Sequence, residues 1–295
     1  MDCKKKKKIV LNFFYILLIK WSRYYCNEKF KICAVPNSIQ EFPHLSYSEF
    51  VKFNGNCNEI VKGHDAIDKN CWRGNLETKN KKKILMTGDS HAAHFAPLFD
   101  LLSKEMDFKF QFYSYGGNKF ILNNKWVVGS YALNRTEQFD YYIICQKFTK
   151  LINLFAETSD SIKKILEMPN KKVLVFLQAP FSNVNKGKSC PVLRPRDGPL
   201  MKCDQEKNSR KSLLLSEKEI TFYNEEIKKL SLKYKNFFYF DIRDYICPYG
   251  VCSLYYKNVR LYADINHFTY GGISLVATDI INTYGIPDSI RLFLE

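Results

Sequence analysis

The sequence has little of what marks a membrane span, a zinc protein or a nucleic-acid reader. Its apolar stretch near the start, Ile9–Ile19, is eleven residues long. As a helix that reaches only about 16 Å, roughly half of a bilayer's hydrocarbon core. No two cysteines stand at C-x-x-C spacing, and His44, His64 and His94 have no ligand at metal-site spacing beside them. A zinc site is therefore not expected. RNA-binding and zinc-finger signatures are missing as well. The formal charge of +15 is carried mostly by scattered lysines, so it does not read as a nucleic-acid footprint. Anionic glycans or membrane surfaces are the more natural partners for it. No internal repeat is visible.

What is present begins with an export signal. Lys4–Lys8 form a basic n-region ahead of the Ile9–Ile19 h-region. No clean small-x-small pattern precedes Cys26, so residues 1–26 read either as a cleaved signal peptide or as a signal anchor. Ten cysteines agree with export. Local spacing suggests the pairs Cys26 with Cys33, Cys57 with Cys71, Cys190 with Cys203, and Cys247 with Cys252, although spacing does not fix connectivity. Cys3 lies inside the signal, and Cys145, in the apolar run Tyr141–Cys145, is left over and is expected to be a buried free thiol. Asn134-Arg135-Thr136 is a glycosylation acceptor that matters only in a eukaryotic secretory route.

At 295 residues and 46% hydrophobic content, the chain allows one large domain with appendages or two small ones. Residues 27–80 are Asn-rich, hold three cysteines and read as a loop-rich lead-in. From Lys81 to the end at residue 295, strands and helices alternate. Strands are expected at Ile84–Thr87, Phe108–Tyr115, Tyr141–Cys145, Val173–Gln178 and Phe237–Asp241. Helices are expected at His91–Ser103, Phe148–Glu167, Ser216–Leu232 and Thr269–Thr283. Such alternation points to a parallel sheet with helices on both faces. The polar, Pro-containing segment Ser182–Ser212 reads as an insertion loop.

Two short motifs carry chemistry. Gly88-Asp89-Ser90-His91 follows the apolar run Ile84–Thr87 and opens a helix, so Ser90 stands at the mouth of a strand-to-helix turn. Near the other end, Asp264-Ile265-Asn266-His267 offers an imidazole with a carboxylate three residues before it. Together they supply a nucleophile, a base and an orienter, the minimum for acyl transfer through serine. Alone, each is also an ordinary turn or helix cap. Asp89 is expected to support the turn, and His91 to pack or cap.

The order of these motifs resembles the SGNH hydrolase superfamily. With Gln178-Ala179-Pro180 and with Cys247-Pro248-Tyr249-Gly250-Val251-Cys252 ahead of Leu261–Thr269, it is most similar to the SGNH domain fused to family-three membrane acyltransferases. The resemblance covers roughly residues 81–290. It implies a flavodoxin-like three-layer α/β/α sandwich with a parallel sheet, a nucleophile at Ser90, a base at His267 and an orienter at Asp264. It also implies an oxyanion hole built from the Ser90 N–H and from Gly116 or Gly117, with Asn118 a further candidate beside them. The Gly-x-Asn-Asp block usual after the third strand is replaced here by Gln146-Lys147-Phe148, which leaves one donor unassigned.

The expected protein is an exported serine enzyme that moves an O-acyl group, acetyl above all, to or from carbohydrate. No metal or organic cofactor is required. Its partners would be an acyl donor, a carbohydrate-type acceptor and a separate membrane acyltransferase. Simple ester hydrolysis with the same residues is an alternative, and a non-catalytic, secreted glycan-binding module is another.

Overall fold

The computed structural model describes residues 32–34, 71–115, 120–122, 127–148, 152–180, 200–202, 206–247, 252, 255–257, 259–262 and 266–295. The signal segment at residues 1–26 lies outside them, as do Gly116, Gly117, Asn118 and Asp264. In chain order the elements are β1 (Ile32–Ala34), β2 (Trp72–Gly74), β3 (Ile84–Gly88), α1 (Ser90–Glu105), β4 (Lys109–Ser114), α2 (Val127–Leu133) and β5 (Tyr141–Cys145). There follow α3 (Ile152–Leu166), β6 (Lys172–Phe176), β7 (Leu200–Lys202), α4 (Glu206–Lys233), β8 (Phe237–Phe240), α5 (Arg243–Ile246), β9 (Tyr255–Tyr256) and β10 (Val259–Arg260). The chain ends in α6 (Tyr270–Asp279), a π-helical turn at Ile280–Tyr284, and α7 (Asp288–Leu294).

The chain divides into two units. The smaller comprises Met1–Glu41 and Asn183–Ser212. Within it β1 and β7 pair antiparallel, with Cys33 opposite Met201. The larger comprises Phe42–Ser182 and Leu213–Glu295. It is an α/β sandwich around a six-stranded sheet of order β2-β4-β3-β5-β6-β8. The interior strands are apolar on both faces: β3 is buried at every position, and β5 and β6 at all but the first. Such unalternating strands belong in a parallel sheet covered by helices on both sides. All neighbours from β4 to β8 are parallel. Only β2, at the edge, runs antiparallel. It falls in the stretch expected to be loops, because three residues are too few to show a period.

From β3 the chain steps to β4 on one side, then returns to β5 on the other side of β3 and continues outward to β6 and β8. The crevice between the C-terminal ends of β3 and β5 is thus the switch point at which open α/β sheets place their sites.

The helix α1 covers this part of the sheet. Asp89 caps its start, and its side chain accepts from the His91 N–H. Twelve of its sixteen residues are buried, including Phe95, Phe99, His91 and His94. A helix apolar nearly all round is one enclosed on both faces, here by the sheet and by α6. The core it closes is aromatic. Phe99 lies 5.1 Å from Phe110, 5.4 Å from Phe108 and 6.1 Å from Phe176, ring centre to ring centre. Phe176 continues the chain to Phe240 at 4.9 Å.

The expected helices at His91–Ser103, Phe148–Glu167 and Ser216–Leu232 correspond to α1, α3 and α4, the last starting earlier, at Glu206. Residues 206–212, expected as loop, are therefore helical. The expected Thr269–Thr283 helix is α6 plus the π turn. Unforeseen was α7, which buries Ile290, Phe293 and Leu294 and packs on β6 and β8. Cys145 is free and buried. Cys247 is bonded to Cys252. Cys71 is also disulfide-bonded, but its expected partner Cys57 lies outside the described residues, as does the expected Cys190–Cys203 pair.

Phe99 tests the aromatic core. It is fully buried, so Phe99→Ala should cost about 3–5 kcal/mol of unfolding free energy by removing area and leaving a cavity. Urea denaturation of the two proteins measures this. A loss below about 1 kcal/mol would place the ring outside the cooperative core.

Candidate functional site

The site forms where β3 stops. Gly88 pairs with Ser114 on one side and with Cys145 on the other. A β-carbon at position 88 would lie 1.7 Å from the Cys145 carbonyl oxygen, so only glycine lets the two strand ends close. The chain then turns through Asp89 into α1, whose first residue is Ser90. Ser90 is half-buried and reachable, while its neighbours Asp89 and His91 are buried.

His267 comes from the opposite end of the sequence. A bridge pairs Tyr262 with Phe268, and the Thr269 N–H donates to the Leu261 carbonyl at 2.8 Å. Thr269 also caps α6, accepting from the Gly272 N–H. These bonds fix Phe268 and Thr269 at the start of α6, directly after His267. Phe268 anchors it in the core, 5.5 Å from Phe95 and 4.9 Å from Tyr262. The Tyr262 hydroxyl donates to the Pro180 carbonyl at 2.8 Å, and burial pushes this phenol's pKa up.

The two ends meet. His267 Nε2 lies 2.7 Å from Ser90 Oγ, within the range at which a base takes a hydroxyl proton. With Nε2 as the acceptor, the ring carries its proton on Nδ1, an assignment that follows from the hydrogen bond rather than from an observed hydrogen.

Three further groups fix the surroundings. Asp89 Oδ1 accepts from the His91 N–H at 2.8 Å and faces His91 Nδ1 at 3.1 Å. Its Oδ2 accepts from the Lys147 N–H at 3.0 Å, tying the turn after β3 to the loop after β5. Gln146 accepts from the Phe120 N–H at 2.7 Å and donates to Thr158 Oγ1 at 3.1 Å. Gln178 accepts from the Phe148 N–H at 3.0 Å, and its own backbone is clamped by the side chain of Asn224 on α4. The sequence reading had Asp89 as turn support and His91 as packed or capping, which matches their positions. It did not single out Gln146, Gln178 or Asn224 as clamps. The available signal was a glutamine directly after the apolar strand β5 and another two residues after β6.

His94 lies one turn along α1 from Ser90. It is 1% exposed. Its ring stands 4.7 Å from His91, 5.8 Å from His267 and 4.9 Å from Phe268. Neither ring nitrogen has a hydrogen-bond partner. Burial, then the neighbouring imidazoles, hold its pKa well below the ordinary histidine value. Cys145, beneath the turn, is also kept neutral, its thiol pKa raised first by burial and then by the charge of Asp89.

Over residues 56–282 the chain matches the family described as SGNH domain (fused to AT3 domains). Among solved structures it is similar to the periplasmic domain of the lipopolysaccharide acetyltransferase of Salmonella ser. Paratyphi A. The two are 18% identical with a TM-score of 0.52, over 84% of this chain and 98% of that one. A candidate platelet activating factor from Streptococcus pneumonia is 12% identical with a TM-score of 0.41, over 70% of this chain and 86% of that one. At 18% identity the first likeness is one of fold. No curated protein matches the sequence. Among the described residues no helix is long and apolar enough to cross a membrane.

The depressed pKa of His94 has a consequence for stability. In the unfolded chain His94 binds a proton below about pH 6.5, whereas in the folded chain it stays neutral. The unfolded state therefore binds more protons, and His94's contribution is present above that pH and is lost as pH falls through it. The melting temperature should drop between pH 8 and pH 5, and His94→Phe, which keeps a ring in place, should show a smaller drop. Calorimetry at the two pH values checks this; equal drops would mean that His94 titrates normally in the fold.

Proposed function

Because the chain belongs to the family of SGNH domains that occur fused to AT3 domains, we propose that it is an exported serine enzyme of O-acyl ester chemistry. In this reading it moves an acyl group, acetyl above all, to or from carbohydrate through an acyl-serine intermediate. The observation that carries the reading is the 2.7 Å contact between Ser90 Oγ and His267 Nε2 at the switch point of the sheet.

Ser90 attacks the acyl carbonyl while its proton passes to His267 Nε2. Asp264, three residues before His267, orients the imidazole and stabilises the imidazolium. The negative oxygen of the tetrahedral intermediate is held by the Ser90 N–H at the start of α1 and by an N–H of Gly116 or Gly117, with Asn118 as a further donor. As the intermediate collapses, His267 returns the proton to the leaving oxygen and Ser90 keeps the acyl group. A sugar hydroxyl then gives its proton to His267 and takes the acyl group, and His267 returns that proton to Ser90 Oγ as the serine leaves. Water in place of the sugar turns the same cycle into an esterase. A membrane acyltransferase, the kind of domain to which the family is fused, is the proposed partner that supplies the acyl group. The basic n-region at Lys4–Lys8 and the h-region after it support a reaction outside the cytoplasm.

A fluorophosphonate probe should label wild-type protein at Ser90 and leave Ser90→Ala unlabelled. Equal labelling of both proteins removes the serine-enzyme reading.

Acetyl-ester cleavage should fall by roughly a thousandfold or more in His267→Ala. Ser90→Ala/His267→Ala should be little worse than either single variant, because the two residues act as one unit. Full activity in His267→Ala overturns the assignment of the base.

A further inference from the structure

The reaction as proposed already has a carboxylate, Asp264, and leaves a second one unused. Asp89 is 2% exposed. Its oxygens take the His91 N–H at 2.8 Å, meet His91 Nδ1 at 3.1 Å and take the Lys147 N–H at 3.0 Å. Two backbone N–H donors on one carboxylate, at the N-terminus of a sixteen-residue helix, favour its ionised form. With Asp89 ionised, His91 donates through Nδ1, and Asp89–His91 becomes a second carboxylate–imidazole pair. The His91 ring lies 5.2 Å from the His267 ring, tilted by 40°.

An N-cap needs only an acceptor oxygen; serine, threonine and asparagine serve as well as aspartate. What aspartate adds is charge. Here that charge is buried, where its effect on a neighbour is screened far less than in water.

We propose, resting on the serine-enzyme reading above, that Asp89 is a positioning residue for His267. It fixes the His91 ring against which the base sits. Its negative charge favours the imidazolium that forms when Ser90 gives up its proton. The titratable groups whose rings face His267 are His91 at 5.2 Å and His94 at 5.8 Å on α1, with Asp89 capping that helix. Near His267 in the sequence stand Tyr262, Tyr270 and the proposed Asp264.

The test separates the charge from the cap. In the full chain, Asp89→Asn and Asp89→Ser both keep an N-cap oxygen and remove the charge. With p-nitrophenyl acetate as substrate, both should lose about tenfold or more in kcat with KM changed less than about twofold. The acid limb of kcat/KM should move to lower pH by about half a unit or more, because the protonated base has lost a neighbouring anion. An NMR titration of the His267 ring in the Ser90→Ala background, with and without Asp89→Ser, should show the same shift without depending on turnover. Wild-type kcat and an unmoved His267 midpoint in Asp89→Ser would reduce Asp89 to a helix cap and overturn the proposal. If the wild type cleaves no ester, the serine-enzyme reading fails by itself, and the NMR midpoint still decides the electrostatic role of Asp89.

Discussion

The close approach of β3 and β5 at their C-terminal ends governs the site. Gly88 and Cys145 are partners in the ladder, and a β-carbon at 88 would come within 1.7 Å of the Cys145 carbonyl oxygen and 2.7 Å of its carbon. Neither atom can give way, because both belong to the backbone of a central strand. Glycine at 88 is thus what allows the parallel ladder to continue to the last residue of β3. The chain can then turn directly out of the sheet into α1. Asp89 and Ser90 emerge at the switch point for that reason, and the placement of Ser90 follows from the topology.

Exits from a parallel sheet leave backbone N–H groups that no strand satisfies, and a buried orphan of that kind costs about 1–3 kcal/mol. Here side chains from neighbouring elements satisfy them in turn. Gln146 takes Phe120 N–H in the connection after β4. Asp89 and Gln178 take Lys147 N–H and Phe148 N–H after β5. Asn224 takes Gln178 N–H after β6, and Tyr262 reaches the Pro180 carbonyl. Each loop is held by a residue from another element, so the rim of the site is rigid only when the whole sheet edge is assembled. Each neutral bond adds only about 0.5–1.5 kcal/mol net. Their larger effect is to exclude other loop conformations, and with these goes the error of about 1 Å that can slow a reaction a hundredfold.

Much of this was legible in the sequence. Apolar runs such as Ile84–Thr87 and Tyr141–Cys145 declare buried parallel strands, since they do not alternate. The Gly88–His91 and Asp264–His267 motifs pointed to the residues that meet as Ser90 and His267, 177 positions apart. The legible part was local: periodicity, caps, the residue after a strand. β2 and α7 were not legible, because three and seven residues are too short to carry a period and are specified by what they pack on. The side-chain clamps were hidden for a related reason. A glutamine after a strand has no local partner, and its role depends on which loop the sheet order brings beside it.

Two helices begin at the site. α1 starts at Ser90, and α6 is capped by Thr269, two residues after His267. Helix N-termini carry partial positive charge and exposed N–H groups. This suits an oxyanion and works against a cation. Ester transfer through serine needs both, an oxyanion on the substrate and an imidazolium on the base, within a few ångströms. Asp89 stands where these demands conflict. Its carboxylate occupies N–H groups at the mouth of α1 and faces His91, and so adds negative charge on the side of the base. In the proposed reaction the Ser90 N–H, one residue further on, is left to the substrate oxyanion. If Asp89 supports the base as proposed, a neutral cap at 89 would leave the helix started but the charge unbalanced, and the choice of capping residue and the chemistry of the base become a single constraint.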